Sequence, residues 1–157
     1  MYTLGDIPRC GANSYPDNIA MVYESTRLTY REFNNRVNRF ANALIKLGCK
    51  KGDRVCVIAD NCSKYMEVYF GAAKIGMSVT PLNVRLGDEE LAWVVNDSEA
   101  TMFIVGDAYE EKIKSLKGKF TNIKSWITLD NTVDGFTGYE DLLQKSSDVE
   151  PDPDLYA

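Results

Sequence analysis

One kind of side chain that does acid–base and nucleophilic chemistry is missing altogether: the chain contains no histidine. A serine or cysteine nucleophile activated by imidazole is therefore ruled out within these residues. Proton transfer would fall to carboxylates, lysine or tyrosine. The densest carboxylate group is Asp88-Glu89-Glu90. Its place at the expected start of a helix explains it, because negative side chains favour the positive end of the helix dipole. The cysteines Cys10, Cys49, Cys56 and Cys62 form no Cys-x-x-Cys pair, and imidazole donors for zinc are lacking. Lys112, Lys114, Lys117 and Lys119 are diluted by Glu110 and Glu111 and read as a solvated helix face.

Phosphate binding needs glycines, so that backbone N–H groups can approach the anion at a helix N-terminus. Neither Gly-x-x-x-x-Gly-Lys-Ser/Thr nor Gly-x-Gly-x-x-Gly occurs. The turn after the first apolar strand, Asp60-Asn61-Cys62-Ser63, holds no glycine at all. A dinucleotide fold would place its fingerprint at that turn, so an ordinary dehydrogenase is disfavoured. The net charge of −5 repels nucleic acid and anionic lipid. Met1-Tyr2-Thr3-Leu4-Gly5-Asp6 is no signal peptide, and Tyr65 to Leu82 is too interrupted to cross a bilayer. The expected compartment is the cytoplasm.

The elements that would position any site follow from periodicity. Residues 1–18, with Pro8, Gly11 and Tyr15-Pro16-Asp17, read as a turn-rich leading arm. Ile19 to Tyr23 and Arg27 to Thr29 predict a hairpin. Thr29-Tyr30-Arg31-Glu32 has capping-box spacing, and Tyr30, Phe33, Val37, Phe40, Ala41, Leu44 and Leu47 follow at helical intervals up to Gly48. Val55 to Ala59 and Met102 to Val105 are continuously apolar, the pattern of strands covered on both faces. Between them, Ser63 is placed to cap a helix that ends at Gly76. Ser78 to Thr80 predicts a strand stopped by Pro81, and a third helix starts near Asp88. Asp107 is placed to cap a helix through Leu116; Trp126 to Leu129 reads as a strand and Tyr139 to Gln144 as a helix. Strand and helix alternate about four times, which predicts an α/β fold: a mostly parallel sheet with helices on both faces. This subdomain is expected over residues 19–144. The proline-punctuated tail 145–157 reads as a polar linker.

The ordered pieces Tyr15-Pro-Asp17, Arg27-Leu-Thr-Tyr-Arg-Glu-Phe33, Ala43-Leu-Ile-Lys-Leu-Gly48 and Lys51-Gly-Asp-Arg-Val55 resemble the start of the adenylate-forming (AMP-binding) enzymes. The resemblance continues through Phe70-Gly-Ala-Ala-Lys-Ile-Gly76, Val79-Thr-Pro-Leu-Asn83, Arg85-Leu86, Glu89-Glu90-Leu91 and Ala100-Thr-Met-Phe-Ile-Val105. Pro81-Leu-Asn-Val-Arg85 is more similar to the acyl-CoA synthetase branch (fatty-acid–CoA ligases) than to peptide-synthetase domains, which usually carry aspartate where Asn83 stands.

The resemblance implies the N-terminal subdomain of the acyl-CoA synthetase-like fold. It also implies a two-step reaction in the complete enzyme: a carboxylate attacks the α-phosphate of ATP, releasing pyrophosphate, and CoA thiolate then displaces AMP. Magnesium would neutralise the phosphates. The family's phosphate loop, adenine motif, ribose-binding aspartate and catalytic lysine have no counterpart here, so no catalytic and no metal-binding residue is carried over. Leu82 and Asn83 alone correspond to a turn near the CoA channel. The chain is thus expected to be an N-terminal fragment of an ATP-dependent acid–CoA ligase, inactive by itself and holding ATP, magnesium and CoA only weakly. Its partners would be the remainder of its own polypeptide, a small carboxylic acid in the full enzyme, and a second copy through exposed subdomain surface. The competing expectation is a binding or scaffold module that shares the fold without the chemistry.

Overall fold

The apolar stripe that begins at Tyr30 and the two continuously apolar runs fold as separate cores. In the computed structural model, which describes residues 3–152, the chain divides into two compact units. Among the described residues, one comprises 3–52, 61–77 and 142–152, and the other 53–60 and 78–141.

The first unit holds α1 (Asp6–Ser14), the hairpin β1 (Ile19–Tyr23) and β2 (Thr26–Thr29), α2 (Tyr30–Lys46) and α3 (Ser63–Lys74). The helix α2 starts as its sequence requires. Thr29 Oγ1 accepts the Glu32 N–H at 3.2 Å, and a Glu32 carboxylate oxygen accepts the Thr29 N–H at 2.8 Å. Such a cap is worth about 1 kcal/mol. Gly48 closes the helix at φ +83°, a conformation in which a Cβ would be strained. Phe33, Val37, Phe40 and Leu44 are buried, and Gly71 on α3 sits so close that a Cβ there would lie 2.6 Å from the Phe40 ring. Between the two helices Arg36 Nε donates to Glu67 at 2.7 Å, the glutamate side chain being only 1% exposed. Removing the arginine would take this bond from a buried carboxylate, a destabilising change.

The leading arm departs from expectation, because residues 6–14 are helical. Thr3 donates its N–H and hydroxyl to Asp6 at 2.7 and 3.0 Å, and Arg9 pairs with the same carboxylate. Pro8 falls in the first turn, where no N–H is needed. Gly11, read as a turn residue, leaves room instead for the Tyr30 ring, since a Cβ would lie 2.3 Å from it. At the start of α3, Cys62 rather than Ser63 is the cap, and it makes no side-chain capping bond.

The second unit contains β3 (Arg54–Ile58), β4 (Ser78–Pro81), α4 (Asp88–Asp97), β5 (Met102–Val105), α5 (Glu110–Leu116), β6 (Ser125–Thr128) and β7 (Thr137–Gly138). Its five strands pair in the order β4-β3-β5-β6-β7, every pairing parallel. Cys56, Ile58, Phe103 and Val105 share a core with Leu91 and Val95 of α4, Ile113 and Leu116 of α5, and Phe120. The alternate residues Val55, Val57, Met102 and Ile104 are equally buried, so the central strands are covered on both faces as their composition predicts. Pro81 ends β4 without loss, because an edge strand does not need its N–H. Asp107 opens one tight turn (Asp107–Tyr109) rather than capping α5, which starts at Glu110. A short helix, α6 (Tyr139–Gln144), spans the point where the chain returns to the first unit.

The stretch expected as a polar linker is tied to the first unit as far as it is described. Residues 145–150 lie along α2 through side-chain bonds, for example from Lys46 Nζ to the Lys145 carbonyl at 2.7 Å. The rest of the expected linker, residues 153–157, and the first two residues of the arm lie outside the described residues.

The Arg9 hydrogen bond, with those from Thr3, pulls the Asp6 carboxyl down to about 2. A depressed carboxyl adds stability above its unfolded value, and that stability is lost as pH falls through the folded value. Asp6→Asn is therefore expected to lower the melting temperature at pH 7, with the difference shrinking as pH drops toward 3. An equal difference at both pH values would contradict this role.

Candidate functional site

In an open parallel sheet, ligands settle outside the carboxyl ends of the strands, where the strand order reverses. Here β3 is followed by β4 on one side and β5 on the other, so the reversal lies between β3 and β5. The rim at that point is made by Ala59 and Asp60 after β3, Gly106 to Tyr109 after β5, and the Leu82–Asn83 turn after β4.

The rim is closed by its own side chains. Gly106 donates its N–H to the Ile58 carbonyl at 2.9 Å, and a Cβ on it would lie 3.0 Å from that of Ala59. Tyr109 donates its hydroxyl to Asp60 at 2.7 Å, and this bond holds the phenol above its ordinary pKa. Asp107 accepts the Asn131 backbone N–H at 3.3 Å and also its side-chain amide. Burial, with Asp107 beside it, raises the Glu110 carboxyl. A phosphate cradle demands converging N–H groups and positive charge; this rim presents carboxylates. The described residues therefore do not fit a magnesium-bound triphosphate. Among them, no group of three or more metal-ligating carboxylates or thiolates gathers to hold a metal ion.

Leu82 and Asn83 separate in role. Leu82 is buried in the core of the second unit and donates its N–H to the Val57 carbonyl at 2.8 Å. Asn83 is exposed; its side-chain oxygen accepts the Arg85 N–H at 3.0 Å and its carbonyl accepts the Leu86 N–H at 3.2 Å. This local pattern fixes the turn and explains why asparagine suits it. Just beyond, Leu86, Glu89, Glu90, Trp93 and Val94 line an open groove of about 470 Å³, with Trp93 67% exposed.

The acidic triplet behaves as helix-start electrostatics predict. Glu90 accepts the Gly87 N–H at 3.0 Å, Glu89 pairs with Lys119, and Asp88 lies 3.6 Å from Lys112. The lysine face is less uniformly solvated than expected. Lys117 is half-buried, with its ammonium 3.7 Å from the Phe136 ring centre and 4.6 Å from that of Trp126. Sequence reasoning missed the Tyr109–Asp60 and Asp107–Asn131 pairs. Their partners lie 24 to 49 residues apart and meet only through the strand order.

Comparison with known proteins follows the same lines. Residues 10–155 match the family model described as AMP-binding enzyme. A crotonobetaine/carnitine–CoA ligase of Salmonella paratyphi B is 33% identical over 111 residues, covering 68% of this chain and 22% of the relative. A putative long-chain-fatty-acid CoA ligase of Rhodopseudomonas palustris superimposes with a TM-score of 0.87 at 29% identity, covering 96% of this chain and 38% of that one. The inhibitor-bound N-terminal domain of FACL13 from Mycobacterium tuberculosis gives 0.86 at 29%, covering 97% of this chain and 38% of that one. The chain spans about a fifth of the length of the curated relatives it matches. With residues 10–155 matched by that family model, the chain belongs to the AMP-binding enzyme family.

Proposed function

We propose that this chain is part of an AMP-forming acid–CoA ligase acting on a fatty or related acid, in which it supplies framework rather than catalytic groups. The family match over residues 10–155 carries this reading, and the similarity to CoA ligases points to the branch. The rim residues do not suit ATP and magnesium, so adenylation is assigned to groups elsewhere in the ligase, and the chain alone is proposed to be inactive. Asn83, on its self-bonded turn, would border the passage of CoA, with Leu82 anchoring the turn in the core. The groove beside exposed Trp93 would be covered by other parts of the enzyme. A cytoplasmic place belongs to the same proposal; cysteines that form no disulfide suit a reducing compartment. No helix among the described residues is long and apolar enough to cross a membrane.

The test compares this chain with the product of its natural gene, measuring AMP release that depends on a carboxylic acid and CoA. Release is expected from the gene product over a panel of fatty acids, and none from the 157-residue chain. Release by the short chain, or by neither protein, would overturn the proposal, the second outcome favouring a binding module. In the active gene product, Asn83→Ala should raise the KM for CoA and leave that for the acid unchanged. Leu82→Ala should cost about 2–5 kcal/mol of stability, as for other buried leucines. Equal changes in both KM values would remove Asn83 from the CoA passage.

A further inference from the structure

One row of polar side chains on α2 has no part in the ligase reading. Asn34, Asn38, Asn42 and Lys46 recur every four residues, with Arg39 beside them. All of these except Asn34 donate to the main chain of residues 143–149. Lys46 Nζ reaches the Lys145 carbonyl at 2.7 Å, Asn42 Nδ2 the carbonyls of Ser147 and Val149 at 2.8 and 2.9 Å, and Asn38 Nδ2 that of Asp148 at 2.9 Å. Arg39 donates to the Leu143 carbonyl at 3.5 Å, the Ser146 carbonyl at 2.8 Å and the Asp148 carboxylate at 2.8 Å. The segment itself turns as it goes: Ser146 donates its N–H to the Leu143 carbonyl at 3.1 Å and Val149 to the Ser147 hydroxyl at 3.1 Å, which brings successive carbonyls round to the helix row.

At the far end of the row the contacts become ionic. The Glu150 carboxylate pairs with Lys74 of α3, whose side chain is 3% exposed. It also accepts from Asn34 Nδ2 at 3.3 Å and lies 4.0 Å from Arg9 of α1, itself paired with Asp6. Burial lowers the Lys74 ammonium, and Glu150 is the charge that opposes that loss. Val149 is 69% exposed, while Ser146 before it and Pro151 after it are buried. The fit is also incomplete. The side-chain oxygens of Asn34 and Asn38 are buried without a hydrogen-bond partner. A contact made of polar bonds, with two acceptors idle, holds less firmly than a packed core.

We infer that the polar row of α2 is a backbone-reading site for an irregular acidic segment, and that residues 145–150 occupy it as a releasable clasp locked at Glu150. Recognition of five successive carbonyls needs no particular side chains; Asp148 and Glu150 set the register through Arg39 and Lys74. Release would expose the row and uncover the buried lysine while α1, α2 and α3 remain packed on Phe33, Val37, Phe40 and Leu44.

The test is backbone nuclear magnetic relaxation on the isotope-labelled 157-residue chain and on its Glu150→Gln variant. In the unaltered chain, residues 145–150 should show order parameters like those of α2, about 0.85. In Glu150→Gln they should fall below about 0.6 while resonances from α2 and from β3 to β6 stay in place. Asn42→Ala, which removes two carbonyl bonds, should loosen residues 147–149 alone and serves as the second variant. Three results would overturn the clasp: a segment already mobile in the unaltered chain, a segment equally rigid in both variants, or loss of α1 to α3 along with it.

Discussion

The parallel pairing of β3 with β5 is the constraint on which the second unit depends. Val55, Cys56, Val57 and Ile58 lie against Met102, Phe103, Ile104 and Val105 in unbroken register, and all eight side chains are buried. Strands covered on both faces cannot alternate polar and apolar residues, and a slip of register would give no exposed face to punish it. What holds the register is the shape of the faces: Cys56 meets Ser98 at 3.4 Å, and Phe103 packs in a triangle of rings with Phe120 and Trp126, 5.5 Å from each, the latter two 5.9 Å apart. Once β3 and β5 are side by side, the loops that leave them must meet. Gly106 against Ala59, and Tyr109 on Asp60, are the consequence.

That meeting decides what the rim can do. The topology puts it where a nucleotide would sit in many open sheets, yet the side chains that arrive are acidic and satisfy one another. A fold inherited with its strand order therefore does not bring the phosphate chemistry with it; chemistry lives in the particular residues at the strand ends. The same rim shows why Leu82 and Asn83 belong together. Leu82 ties the turn to β3 through the Val57 carbonyl, and Asn83 bends the chain back by bonding its own neighbours.

Much of the fold was legible in the sequence. Capping-box spacing at Thr29 and Glu32, the stripe from Tyr30 to Leu47 and the two apolar runs each gave an element of the expected type. The misses have physical causes. Residues 6–14 looked like turns because Pro8 and Gly11 are helix breakers in isolation; one fell in a permissive first turn, and the other met the Tyr30 ring. The tail reads as a polar linker because its serines, aspartates and prolines carry no apolar pattern. Its anchor is a row of asparagines over 100 residues earlier, readable locally only as a polar helix face. Asp107 has the local signature of a helix cap, and its actual partner Asn131 is brought to it only by the pairing of β5 with β6. Local signals lie in neighbouring residues; contacts that depend on strand order do not.

The most direct measurement is amide hydrogen exchange across the chain under native conditions. Backbone amides of Val55 to Ile58 and Met102 to Val105 should be the slowest in the second unit, exchanging only when that unit unfolds as a whole. If they exchange ahead of the amides of α4 and α5, the paired central strands are not the frame on which the rim and its turns depend.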